Sequence, residues 1–254
     1  MIKPCKIDKN FLFEMNTEIY MPNTVKKKRI RQKPEERLAE IISISHRMFV
    51  EQGYEATSMA DVAKEIGIVE GTIYRYFKTK KDVLISVLER WYNGALADYQ
   101  QNLSGITGVK NRLHFMIWHH LNVLKADPVL CDMIVQHVRV GEDYESTKIF
   151  ELNKSYSSAV DKVIKEGIKE GVFKDDAPIS LIRDMIYGGV EYHSWRYVTG
   201  RSERLDVDKI ADQISELVYN ALVIPTTNTT LQIDNDAIMA KLNSLENKLD
   251  NLNK

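Results

Sequence analysis

The chain has 254 residues, 44% hydrophobic and 28% charged, which is enough apolar material for one large or two modest cores and argues against a disordered chain. Its formal net charge of -1 hides an asymmetry, because residues 26–81 hold 13 Lys and Arg against 8 Asp and Glu while the remainder holds 22 against 28. Only Cys5 and Cys131 occur, outside any metal-ligand spacing and too few for a disulfide framework, and no apolar run reaches the length of a signal-peptide core or a membrane span. A cytoplasmic, two-domain protein without membrane association is therefore expected. The cationic segment suits a polyanionic partner, or else is only a solvated basic tail.

In chain order, residues 1–33 show no sustained period and end in Lys26, Lys27, Lys28, Arg29, Arg31 and Lys33, a flexible basic arm by its self-repulsion. From Pro34, the spacing of Leu38, Ile41, Ile42, Ser45, Met48 and Phe49 predicts an amphipathic helix that Gly53 ends. Thr57 or Ser58 caps a short second helix holding Val62, Ala63 and Ile66, which Gly67 closes, and a third short helix follows over about Glu70 to Phe77. These make a candidate first domain over 34–81. Long helices are predicted from Asp82 to Leu103, Lys110 to Lys125, Pro128 to Val140, Tyr144 to Gly171, Pro178 to Thr199 and Val207 to Val223, a second domain over 82–224. No strand-like alternation appears, so the fold class is all-α. Over 225–254, a Thr/Asn-rich linker leads to Leu231, Ile238, Leu242, Leu245, Leu249 and Leu252 at heptad positions, with Asn235 among them. This is either a short intermolecular coiled coil, and so a route to a higher oligomer, or a lone helix packed on its own domain.

Two short helices joined by a tight glycine turn form a helix-turn-helix, whose second helix fits a DNA major groove. The run from Thr57 to Lys80, with Gly67 at the turn and Tyr74, Tyr76, Phe77 and Lys80 in the spacing Tyr-x-Tyr-Phe-x-x-Lys, closely resembles the DNA-binding signature of the TetR family of transcriptional regulators. Candidate DNA-binding residues are Thr57, Ser58, Val69, Glu70, Gly71, Thr72, Tyr74, Arg75, Tyr76 and Lys80. Gly71 and Thr72 are small enough for close approach to phosphate, and the two tyrosines carry polar tips on rigid rings. Arg75 can read guanine or sit on phosphate, and the resemblance implies a phosphate contact for Lys80. Val69 stands where the family commonly has a capping Ser, and Glu70 sets a negative charge beside DNA. Ile73 and Phe77 read as core.

The resemblance further implies a ligand-responsive repressor, binding a palindromic operator as a homodimer and released by a small, largely apolar effector such as a fatty acyl-coenzyme A. It also implies a four-helix dimer seam, mapping here onto Leu181, Ile182, Met185, Ile186, Gly189 and Val190 with Ile210, Ile214, Leu217, Val218 and Leu222. Candidate ligand-binding residues are Trp118, Met133, His137, Tyr144, Met185 and His193, from a wider aromatic and soft set that includes His119, His120, Tyr187 and Trp195. Arg139, Arg183 and Arg196 are candidates to meet coenzyme A phosphates. No cofactor and no catalytic residue is expected, and adjacent histidines diverge on a helix, so no metal site is expected either. An activator or architectural DNA-binding protein of the same fold is the alternative. An enzyme is the remoter one, since no phosphate loop, nucleophile elbow or paired carboxylate motif is present.

Overall fold

The computed structural model describes residues 33–225 together with Lys241. The expected basic arm, Lys33 apart, and the heptad segment, Lys241 apart, lie outside the described residues. Among those described, the architecture is helical without strands: α1 (Pro34–Gln52), α2 (Met59–Ile66), α3 (Glu70–Ile73), α4 (Lys80–Leu103), α5 (Val109–Ala126), α6 (Pro128–Met133), α7 (Lys148–Lys169), α8 (Ile179–Val198) and α9 (Val207–Leu222). No described helix is long and apolar enough to cross a membrane.

Local chemistry sets most helix ends. Pro34 occupies the first turn of α1 with Glu35 and Glu36, where a fixed φ and negative charge favour a helix N-terminus. The Ser58 side chain caps α2 by accepting from the Asp61 amide at 3.1 Å. Gly67 ends α2 with φ of 78°, a left-handed conformation that a side chain would strain, and the Ile68 amide reaches back to the Ala63 carbonyl at 2.9 Å. Thr79 and Asp82 form a reciprocal capping box at the start of α4, with bonds of 3.1 and 2.8 Å. That box draws α4 back to Lys80, two residues earlier than periodicity alone suggests.

Packing then places the elements. α1 lies against α2 and α4, forming the head of the molecule, while α5 and α7 pack on α4, α8 packs on α5 and α7, and α9 lies against α5. After Met133, α6 widens into a π-helical turn, Ile134–Arg139, so the expected single helix changes winding midway. A 3₁₀ turn at Tyr144–Ser146 precedes α7, whose cap is Thr147 rather than Tyr144. A short antiparallel bridge, Phe173 to Val223, ties the end of α7 to the end of α9. Gly167 makes this possible, because a Cβ there would stand 2.3 Å from the Phe173 ring.

Candidate functional site

The helix-turn-helix is built from α2 and α3. Ile73 and Phe77 are buried in the head core with Phe49, Val62 and Leu84, which turns the other face of α3 outward. Ser58 at the start of α2 and Val69, Glu70, Gly71, Tyr74 and Arg75 in and around α3 are exposed, with Thr72, Tyr76 and Lys80 half-buried beside them. Thr57 is a correction: it is buried, and its hydroxyl donates to the Gly53 carbonyl at 2.9 Å and the Met48 carbonyl at 3.3 Å. It holds the entry to α2 against α1 and presents nothing to DNA. The recognition helix is also shorter than expected, ending at Ile73 and continuing only as turns through Tyr76. Val69 provides no side-chain cap at its start, and the chain must straighten again at Thr79 to begin α4. Lys80 lies over the Tyr54 ring, 4.2 Å from its centroid, and donates to the Glu55 carbonyl at 3.3 Å.

A cavity of about 340 Å³ opens between α4, α5, the π-turn, α7 and α8. Trp91 and Tyr92 of α4 form one wall, His120 of α5 and Cys131 of α6 another, and Tyr156 and Tyr187 close it from α7 and α8. Burial pushes the Cys131 thiol and the Tyr92, Tyr156 and Tyr187 hydroxyls up from their ordinary pKa values, so all stay protonated near neutrality. Arg139 lines the cavity and is held by both oxygens of Glu191, at 3.0 and 2.9 Å. Arg183 also lines it, paired with Asp161 at 3.1 Å and Asp184 at 3.0 Å. Arg196 does not line it.

None of Trp118, Met133, His137, Tyr144, Met185 and His193 lines this cavity. Trp118 turns toward α9, donating from its indole to Asp208 at 2.9 Å. Met133 is buried in the head core. His137 packs at a tilt against Tyr54, with ring centroids 4.6 Å apart and 44° between the planes, and approaches Glu55 at 3.4 Å, facing the head. The Tyr144 hydroxyl accepts from Asn153 at 3.3 Å while its ring meets Phe150. Met185 is 66% exposed on the outer face of α8. His193 lines an open groove of α8, α5 and α9 with His114 and Asp212. From the wider set, His120, Tyr187 and Trp195 do line the cavity, whereas His119 is fully engaged in a buried chain, its ring nitrogens 2.9 Å from the Tyr156 hydroxyl and 3.0 Å from Asp98. Trp91, Tyr92 and Tyr156 were missed. The adjacent Trp91 and Tyr92 midway along α4 were the available signal. Among the described residues no group of three His, Cys, Asp or Glu side chains converges as a metal site.

The expected dimer seam divides in the same way. Ile186, Val190, Ile210 and Leu222 are buried within the chain, while Leu181, Met185 and Leu217 stand exposed.

The model of bacterial regulatory proteins of the tetR family matches residues 41–87, and the model of the YsiA-like protein C-terminal region matches residues 92–221, half of the chain. The chain belongs to the TetR family of bacterial regulators. It is thus a DNA-binding, ligand-responsive transcription regulator. It is 26% identical over 183 residues to the fatty acid metabolism regulator protein of Bacillus subtilis, covering 72% of this chain and 94% of that one. It is 24% identical over 196 residues to the transcriptional repressor KstR2 of Rhodococcus jostii, covering 74% and 92%. The solved structure of the regulator FadR from Bacillus subtilis in complex with stearoyl-CoA superposes with a TM-score of 0.62 at 26% identity, covering 71% of this chain and 96% of that one. FadR from Bacillus halodurans gives a TM-score of 0.62 at 25% identity, covering 75% and 97%.

Proposed function

We propose that this regulator is a dimeric repressor that holds a two-fold operator through paired helix-turn-helix heads and releases it when an acyl-coenzyme A thioester enters the cavity. The observation that carries the reading is the reach of one helix: α4 begins at Lys80, against Tyr54 and Glu55 of the head, and presents Trp91 and Tyr92 to the cavity three turns later. A ligand that re-seats those rings tilts the same rigid element that sets the head.

The π-turn offers a second link. Arg139 faces the cavity, and His137, two residues before it, touches Tyr54 and Glu55. Lys81 of α4 is paired with Asp143 at 2.7 Å just beyond the turn. Winding of this kind recurs at functional sites.

Ser58, Gly71, Thr72, Tyr74, Arg75, Tyr76 and Lys80 are the DNA-contacting residues in this reading, with Val69 and Glu70 at the edge of the same surface. The exposed Leu181, Met185 and Leu217 form the dimer face, which places two heads about one helical turn, roughly 34 Å, apart on DNA. The aromatic lining receives the acyl chain, and Arg139 and Arg183 meet its phosphates. Because DNA and ligand each favour a different head spacing, each weakens the other.

The test is fluorescence anisotropy on a labelled duplex from the promoter region of the chain's own gene. Dodecanoyl-CoA is expected to release the protein and free coenzyme A is not. Retention of DNA at saturating dodecanoyl-CoA, or no binding to that duplex at any ionic strength, contradicts the reading.

A further inference from the structure

We infer that the effector carries an uncharged oxygen, a hydroxyl or keto group, on the part of its chain buried in the cavity, and that His120 is the residue that selects it. This rests on the proposed acyl thioester reading and narrows it.

Two neighbours on α5 differ in how their ring nitrogens are satisfied. His119 is buried and both its ring nitrogens have partners, the Tyr156 hydroxyl and the Asp98 carboxylate. The His120 nitrogens are shielded from solvent just as completely, yet neither has a hydrogen-bond partner. Its ring stands instead beside aromatic rings, with centroids 4.9 Å away at Tyr187 and 5.7 Å at Tyr156. Burial, reinforced by His119 and Arg139, lowers the His120 pKa to about 3, so the ring is neutral at physiological pH. A neutral imidazole has one N–H to give and one nitrogen to accept with; a ligand hydroxyl can pair with either nitrogen, and a keto oxygen can accept from the N–H.

Buried groups are rarely left in this state, and the exceptions call for an explanation such as a ligand. His120 lines the cavity, and the terminal torsion of a histidine ring is broad, so a small turn brings a nitrogen to a ligand oxygen. A plain saturated chain leaves the nitrogens unpaired. The polar side chains of Asn153 and Ser157 on the same lining also fit an oxygenated chain better than a bare hydrocarbon. A charged oxygen on the buried chain is disfavoured, because the neutral His120 ring offers it no counter-charge and Arg139 and Arg183 are given to the thioester's phosphates in the proposed reading.

The experiment is calorimetric titration of the full chain with dodecanoyl-CoA and with its 3-hydroxy, 6-hydroxy and 10-hydroxy counterparts. At least one hydroxylated thioester is expected to bind about tenfold more tightly than the unsubstituted one, the scale set by satisfying a buried polar group. His120→Phe, which keeps a ring and removes both nitrogens, is expected to erase that preference, so that the four thioesters bind the variant within about twofold of one another. Equal binding of all four thioesters by the unaltered protein overturns the inference and leaves the thioester reading standing, whether or not the variant folds. A preference that survives in His120→Phe overturns the role of His120. If none of the four binds, the thioester reading itself fails and the inference falls with it.

Discussion

Two apolar cores share this chain, and they divide it differently from the order of its helices. One gathers Ile41, Phe49, Val62 and Ile73 of the head with Leu130, Ile134, Val138 and Ile149 from the middle of the chain. The other gathers Leu113, Ile117 and Leu121 of α5 with Val160, Ile164, Phe173 and Val190. α4 serves both, giving Val83, Leu84, Val87 and Leu88 to the first and Tyr99 to the second, while Trp91 and Leu96 pack against each. The cavity opens at that seam, with Trp91 and Ile134 from one side and Leu124 and Cys131 from the other. The head is therefore no loosely tethered module. A ligand at the seam bears on side chains that the head core itself is made of.

The largest expected effect is on the head core. Phe49→Ala removes a fully buried ring and should cost about 3–5 kcal/mol in urea unfolding. Phe173→Ala, the counterpart in the second core, should cost a similar amount. If the cores are coupled through α4, each variant unfolds in one transition by fluorescence and by circular dichroism; separate transitions would break the coupling. Titration sharpens the same point, since each core holds a histidine kept neutral by burial, His46 with pKa lowered to about 4, aided by the charge of Arg90, and His120 with pKa lowered to about 3. The unfolded chain binds protons at both below about pH 6.5 and the folded chain does not, so stability falls as pH falls. Between pH 7 and pH 5 each should contribute a loss of about 2 kcal/mol, measurable as a drop in the urea midpoint. A midpoint that does not change over that window contradicts the burial of both rings.

Smaller effects separate the outward surfaces. Leu217→Glu puts a charge on the exposed apolar face and should weaken dimerisation at least about tenfold by analytical ultracentrifugation, leaving the thermal unfolding of the monomer unchanged. Tyr76→Ala should weaken operator binding by about tenfold at fixed salt while the dimer persists. The reverse pattern, a lost dimer with intact DNA affinity, would exchange the two surfaces.

The head and the cavity also differ in how far they can be read from sequence. The head is written in a contiguous run: Ser58 caps, Gly67 turns, Ile73 and Phe77 point inward, and what remains of α3 faces out. Its one misassigned contact residue, Thr57, can equally cap a helix or bond to carbonyls behind it, and the Gly53 and Met48 carbonyls decided the matter. The cavity is assembled from five segments whose rotation about their own axes is set by packing. Aromatic content pointed to α5, α6, the π-turn and α8 but passed over α4 and α7, and it did not give the face of each that turns inward. His119 and His120 show why: adjacent in sequence, one finds Asp98 and Tyr156 from α4 and α7, and the other finds only rings. The π-turn has no sequence signal that periodicity detects, and it is what sends His137 to the head and Arg139 to the cavity.

Reciprocal coupling tests the central claim most directly. Operator affinity is measured with and without saturating dodecanoyl-CoA, and dodecanoyl-CoA affinity with and without saturating operator. A ligand seated against α4 at the seam should weaken the operator by about tenfold or more, and operator should weaken the ligand by the same factor. Thioester binding that leaves operator affinity unchanged would contradict it, because the cavity would then be a site without a connection to the head.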